Sequence, residues 1–76
     1  MTADNYFEQL GYKKRIDNTD NVVYEKEASL EIKISPKSFK RFITYKDEKG
    51  NWITKELSIE TNEISAALDK MIEKGW

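Results

Sequence analysis

The sequence predicts an α+β domain: a short N-terminal helix, an antiparallel meander of about five strands and a C-terminal amphipathic helix, with both helices on one face of the sheet. Three observations carry this. Apolar residues recur at helical spacing near both ends of the 76-residue chain, they recur with a period of two over residues 12–59, and polar or glycine-containing breaks divide that middle stretch. Strands joined by short loops pair with their sequence neighbours, and flanking amphipathic helices bury their apolar stripes against such a sheet.

The first helix is expected over residues 2–11, where Ala3, Tyr6, Phe7 and Leu10 form one apolar face. Thr2 can cap its free amides, Asp4 complements the positive end of its dipole, and Gly11 suits a left-handed stop. Two turns do not persist alone, so this helix must dock. Residues 12–16 form a first strand, closed by the turn-rich Asp17-Asn18-Thr19-Asp20-Asn21, and residues 22–27 a second. In residues 29–35, Leu30, Ile32 and Ile34 alternate with Glu31 and Lys33, as in a half-buried strand. Pro36, which has no amide to give a ladder, ends it. Residues 38–46 place Phe39, Arg41, Ile43 and Tyr45 opposite Lys40, Phe42 and Thr44, and a glycine-containing loop leads to a fifth strand over residues 52–59. The last helix starts at Thr61 as N-cap and stops at Gly75. Its stripe of Ile64, Ala67, Leu68, Met71 and Ile72 is expected to face the core, with Glu63, Asp69, Lys70, Glu73 and Lys74 in water.

Composition limits what such a domain can do. Residues 1–76 make one domain, and a chain this short has a small core. There is no cysteine and no histidine, which removes disulfides, thiolate metal sites and the usual general base near neutral pH. The three glycines form no phosphate loop, so neither cofactor nor metal nor catalysis is expected. The oxygen-rich segment 17–21 lacks the glycine and distal glutamate of a calcium loop and reads as a polar turn. Thirteen basic and 14 acidic residues nearly cancel, giving no general attraction to nucleic acid or anionic membrane. With no apolar leader and no run long enough to span a bilayer, a cytoplasmic protein without a membrane partner is expected.

Phe7-Glu8-Gln9-Leu10-Gly11-Tyr12-Lys13-Lys14, then a polar turn and Val23-Tyr24-Glu25-Lys26, together with the closing Ile72-Glu73-Lys74-Gly75-Trp76, resemble small proteins encoded in phages and prophages of Gram-positive bacteria. The resemblance covers residues 6–26 and 61–76. It implies an accessory, non-virion phage or mobile-element protein, and it assigns no catalytic or binding residue.

Two candidate surfaces remain. A sheet with helices on one side leaves its other face open, and Val23, Phe42 and Trp52 are expected there as a contact patch for a host or phage protein or for a second copy of the chain. Trp76 is a further interface candidate, against the plainer reading that it folds back over the last helical turn. The second surface is nucleic-acid binding by the basic and aromatic stretch 33–45, in which Lys33, Lys37, Lys40 and Arg41 run with no acid among them and Phe42 and Tyr45 are interleaved; Lys37, Lys40, Arg41 and Phe42 are the expected contacts. The plainer reading there is a solvated strand face whose charges deter edge-to-edge aggregation.

Overall fold

In the computed structural model, which describes residues 2–76, the chain runs α1 (Ala3–Gln9), β1 (Lys13–Asp17), β2 (Val22–Lys26), β3 (Leu30–Ser35), β4 (Ser38–Lys46), β5 (Trp52–Leu57) and α2 (Thr61–Lys74). The five strands form one antiparallel sheet in the order β1-β2-β3-β4-β5, so the expected α+β meander is the fold of this protein.

Local chemistry sets the element ends. The Thr2 hydroxyl accepts from the Asn5 amide at 3.2 Å and caps α1. Gly11 has φ +93°, which lets the Tyr12 amide turn back to the Phe7 carbonyl at 2.9 Å. The N-cap of α2 is Glu60 rather than Thr61, because the Glu63 carboxylate reaches back to the Glu60 amide at 3.0 Å and fixes the first turn one residue earlier. Segment 17–21 behaves as a turn: the Asn18 side-chain oxygen accepts from the amides of Asp20 and Asn21, each at 2.9 Å.

The ladder defines two sheet faces. One carries Val22 and Tyr24 of β2 beside their β3 partners Ile34 and Ile32. These four share a buried cluster with Phe7 of α1, Tyr12, and Ala66 and Ala67 of α2. Phe7 stacks on Tyr24 with ring centroids 3.8 Å apart and meets Tyr12 edge-on at 5.9 Å. Each large side chain buried here contributes about 1.5–3 kcal/mol by leaving water. The second face presents Lys33, Lys40, Thr54 and Glu56 to solvent.

Two features depart from the sequence reading. A bulge at Arg15 shifts the β1 register, so Lys14 opposes Tyr24 but Ile16 opposes Val23. Tyr12 and Ile16, which unbroken alternation along residues 12–16 would place together, therefore lie on different faces. The larger departure is the rotation of α2. Glu63 and Lys70, expected in water, are each only 5% exposed, whereas Leu68 is 46% and Ile72 75% exposed. The side turned inward is Glu63, Ala66, Ala67 and Lys70. Small alanines let the helix approach closely, and waiting polar partners satisfy the two charges.

Candidate functional site

Those partners form two networks that join α2 to the rest of the protein. Tyr12 Oη donates to Glu63 Oε2 at 2.6 Å, and Glu63 Oε1 lies 3.4 Å from Arg41 Nε. Tyr24 Oη donates to Asp4 Oδ1 at 2.5 Å, which also accepts from Lys70 Nζ at 3.1 Å, while Asp4 Oδ2 pairs with Lys14 Nζ at 2.9 Å. Glu73 accepts from the Ala3 amide at 2.7 Å, and Asp17 bridges Lys74 at 2.7 Å and Lys14 at 3.2 Å. Burial pushes both tyrosine hydroxyls well above their usual range, and the carboxylates they donate to push them further. Burial also works to raise Asp4, but the Tyr24 hydroxyl and the Lys14 and Lys70 ammonium groups outweigh it and hold its carboxyl well below the usual carboxylate range. These groups are spent on one another: the tyrosines stay neutral donors, and Asp4 stays a charged acceptor. Among the described residues no group of three or more acidic side chains is arranged to hold a metal ion, and no helix is long and apolar enough to cross a membrane.

The solvent-facing surface of the sheet is a different environment. Phe42 is half-buried, opposite Glu31 on one side and Glu56 on the other. Trp52, opposite Lys46 at the end of the β4–β5 hairpin, is 68% exposed, and Lys46 Nζ sits 5.0 Å from its ring centroid. The two aromatic residues share this face without touching, because the pair Thr44–Thr54, bonded through hydroxyls at 3.1 Å, lies between them. Val23 is on the same face but only 5% exposed. It is short and sits between its cross-strand neighbours Ile16 and Lys33, so it offers little surface to a partner. Trp76 does not stand free. It packs against the core cluster, its amide donating to the Met71 carbonyl at 2.9 Å.

Alternation divides the basic and aromatic stretch. Lys40 and Phe42 face solvent on the open side, and Lys37 is exposed in the β3–β4 turn. Arg41 points the other way, its side chain 17% exposed and directed at Glu63 and Glu60. Lys33, the first basic residue of that stretch, also lies on the open face, directly opposite Lys40. Like charges on paired positions repel, and these two line a shallow recess of about 350 Å³ with Ser35, Ser38, Phe42 and the turn residue Asp20. Both lysines belong to the basic stretch read from the sequence, and the β3–β4 register sets them side by side although they lie seven positions apart. In this recess Lys40 has one loose, exposed ion pair, with Glu56 at 3.8 Å. In a second surface hollow, beside Lys13, Lys14 and Arg15, the pairing is tighter, Lys14 engaged by Asp4 and Asp17 and Arg15 by Glu31 at 2.6 Å and Glu25 at 3.6 Å.

No protein-family model, curated protein or solved structure matches this chain.

Proposed function

We propose that this chain is a non-enzymatic protein-binding module, an accessory protein of phage or mobile-element type, whose recognition surface is the open face of the sheet. The observation that carries the reading is Trp52: a large aromatic side chain, 68% exposed, at the tip of a hairpin and on the same face as Phe42. Exposed tryptophan on a rigid ladder is the kind of anchor that binding surfaces concentrate their energy in. The recess beside Phe42, with Lys33, Lys40 and two serine hydroxyls, suits a partner segment that presents a carboxylate next to an apolar side chain. The absence of histidine and cysteine from the sequence, and the mutual engagement of the buried tyrosines and carboxylates, support a role without catalysis.

The test is affinity capture from a host-cell lysate with the tagged chain, comparing wild type with Trp52→Ala and with Lys33→Glu/Lys40→Glu. A protein partner retained by wild type, lost with either variant and resistant to nuclease supports the reading. A partner captured equally by all three chains would rule out this face.

One observation favours a second reading, single-stranded nucleic acid: Lys33, Lys40 and Phe42 line the same recess, with Lys37 in the adjoining turn. Phosphate neutralisation with base stacking is how single strands are held. Glu31 and Glu56 on either side of Phe42 weaken that field. Such binding must fall steeply with salt and with Lys40→Glu, and oligonucleotide titration at low salt that shows no binding removes it.

A further inference from the structure

The outward turn of α2 leaves an apolar helix flank only partly covered: Ile64 is half-buried, whereas Leu68 and Ile72 are exposed. Its polar contacts to α1 come from Lys70 and Glu73, and its alanines enter the core, so Ile64, Leu68 and Ile72, each four residues on from the last, run along the side away from α1. On the sheet, α1 lies by β1 and α2 by β3. The flank therefore looks toward β4 and β5. There the core-bearing face of the sheet continues as Ile43, Tyr45, Ile53 and Leu57, all half-buried and outside the buried cluster, with Lys55 Nζ 5.8 Å from the Tyr45 ring centroid. The chain thus carries both halves of a layer it does not close: a strip of sheet without a helix over it, and a helix flank without a sheet beneath it.

We propose that a second copy of the chain closes this layer, each protomer laying the Ile64–Leu68–Ile72 flank of its α2 on the bare β4–β5 strip of the other about a twofold axis. Three observations select a second copy as the occupant. The dimensions match, since a 14-residue helix and a six-residue strand are each about 20 Å long. The charges complement: Lys55 is the exposed cation on the bare strip, Asp69 is an exposed anion beside the helix flank, and neither has an ion-pair partner within the chain among the described residues. The single chain is also too open. Its radius of gyration is 12.8 Å, against about 11.4 Å for an ordinary domain of this length, and its surface is 5193 Å² against about 4,900 Å² for its mass. A twofold axis makes the contact twice, which moves it toward the about 800 Å² per partner typical of a stable interface. Such a self-complementary contact is the commonest oligomer geometry. It stands independently of the open-face reading, because Phe42 and Trp52 lie on the other side of the sheet.

Sedimentation equilibrium over a wide concentration range tests it. The wild-type chain is expected to dimerise with a micromolar or tighter Kd. Ile72→Glu, at a site already 75% exposed, is expected to weaken the dimer about 30-fold or more while leaving the circular dichroism spectrum unchanged. Ile53→Glu tests the strip in the same way. Lys55→Asp and Asp69→Lys each weaken association, and the double swap restores it. A wild-type chain that stays monomeric throughout, a dimer indifferent to Ile72→Glu, or a swap that fails to restore association would overturn the arrangement. Dissociation by Trp52→Ala alone would do so too, by moving the contact to the open face.

Discussion

The sheet is built in two unequal parts. Strands β1 to β3 carry Val22, Tyr24, Ile32 and Ile34 under Phe7 and the α2 alanines, and these side chains are essentially inaccessible to water. The hairpin β4–β5 has the same alternation and a longer ladder, yet none of Ile43, Tyr45, Ile53 or Leu57 is fully buried. The difference lies in what covers each part, since both have strand-forming sequences. Backbone pairing makes a sheet, but burial stabilises it, and in a single chain the helices reach only part of the way across.

This contrast can be broken or sharpened by experiment. The largest effect is expected from truncation in the covered part: Ile32→Ala should cost about 2–4 kcal/mol in denaturant unfolding, enough to unfold much of a domain this small. Ile53→Ala should cost under about 1 kcal/mol in dilute solution, where little area is lost, and more as concentration rises if a second copy covers it. Equal losses at the two sites would erase the distinction.

Next comes the polar clasp between α1 and α2. Asp4→Asn weakens bonds to Tyr24, Lys14 and Lys70 and leaves the buried Lys70 with less compensation, a loss of about 1.5–3 kcal/mol by thermal or chemical unfolding. The same carboxylate sets the acid response. Asp4 and Asp17 have folded-state pKa values below their unfolded ones, so as pH falls below about 4 the unfolded chain takes up protons first and stability declines. Asp4→Asn should flatten that decline. At the alkaline end the signs reverse: Tyr12, Tyr24 and Lys14 are raised in the folded state, so their contribution holds below about pH 10 and is lost above it. The melting temperature followed between these limits should show a plateau. A melting temperature that climbs on acidification would contradict the network.

Hydrogen exchange should grade the sheet in the same order, slowest at the amides of β2 and β3 and fastest along β5, which is an edge strand. The smallest effect belongs to the β2–β3 turn, where Glu27 and Ala28 have φ of +55° and +59°. A side chain disfavours that backbone, so Ala28→Gly should stabilise by a few tenths to about 1 kcal/mol. The β4–β5 turn already uses Gly50 at φ +81°, with Asp47 accepting from the amides of Lys49 and Asn51.

Much of this architecture is legible in the sequence. The change from a helical to a two-residue period marks all seven elements to within two residues, because side-chain direction follows backbone period directly. Alternation also separates Arg41 from Lys40 and Phe42. The rotation of α2 is not legible. Periodicity shows that Ile64, Leu68 and Ile72 form a stripe, but not which surface that stripe meets, and Glu63 and Lys70 turn inward only because Tyr12, Arg41 and Asp4 are there to receive them. The bulge at Arg15 is equally silent, since one extra residue in a charged strand leaves no mark on composition. For the open face, the pairing of Lys33 with Lys40 depends on register, and the 5% exposure of Val23 depends on its neighbours.

The strand order has a kinetic consequence. Every ladder closes between sequence neighbours over a short loop, and such closures take microseconds. The contacts that tie the protein together span far more chain: Tyr12 to Glu63 crosses 51 residues, Asp4 to Lys70 crosses 66 and Ala3 to Glu73 crosses 70. Closing those loops costs more entropy. The helical clasp is therefore expected to form last, docking on a meander that has already assembled strand by strand.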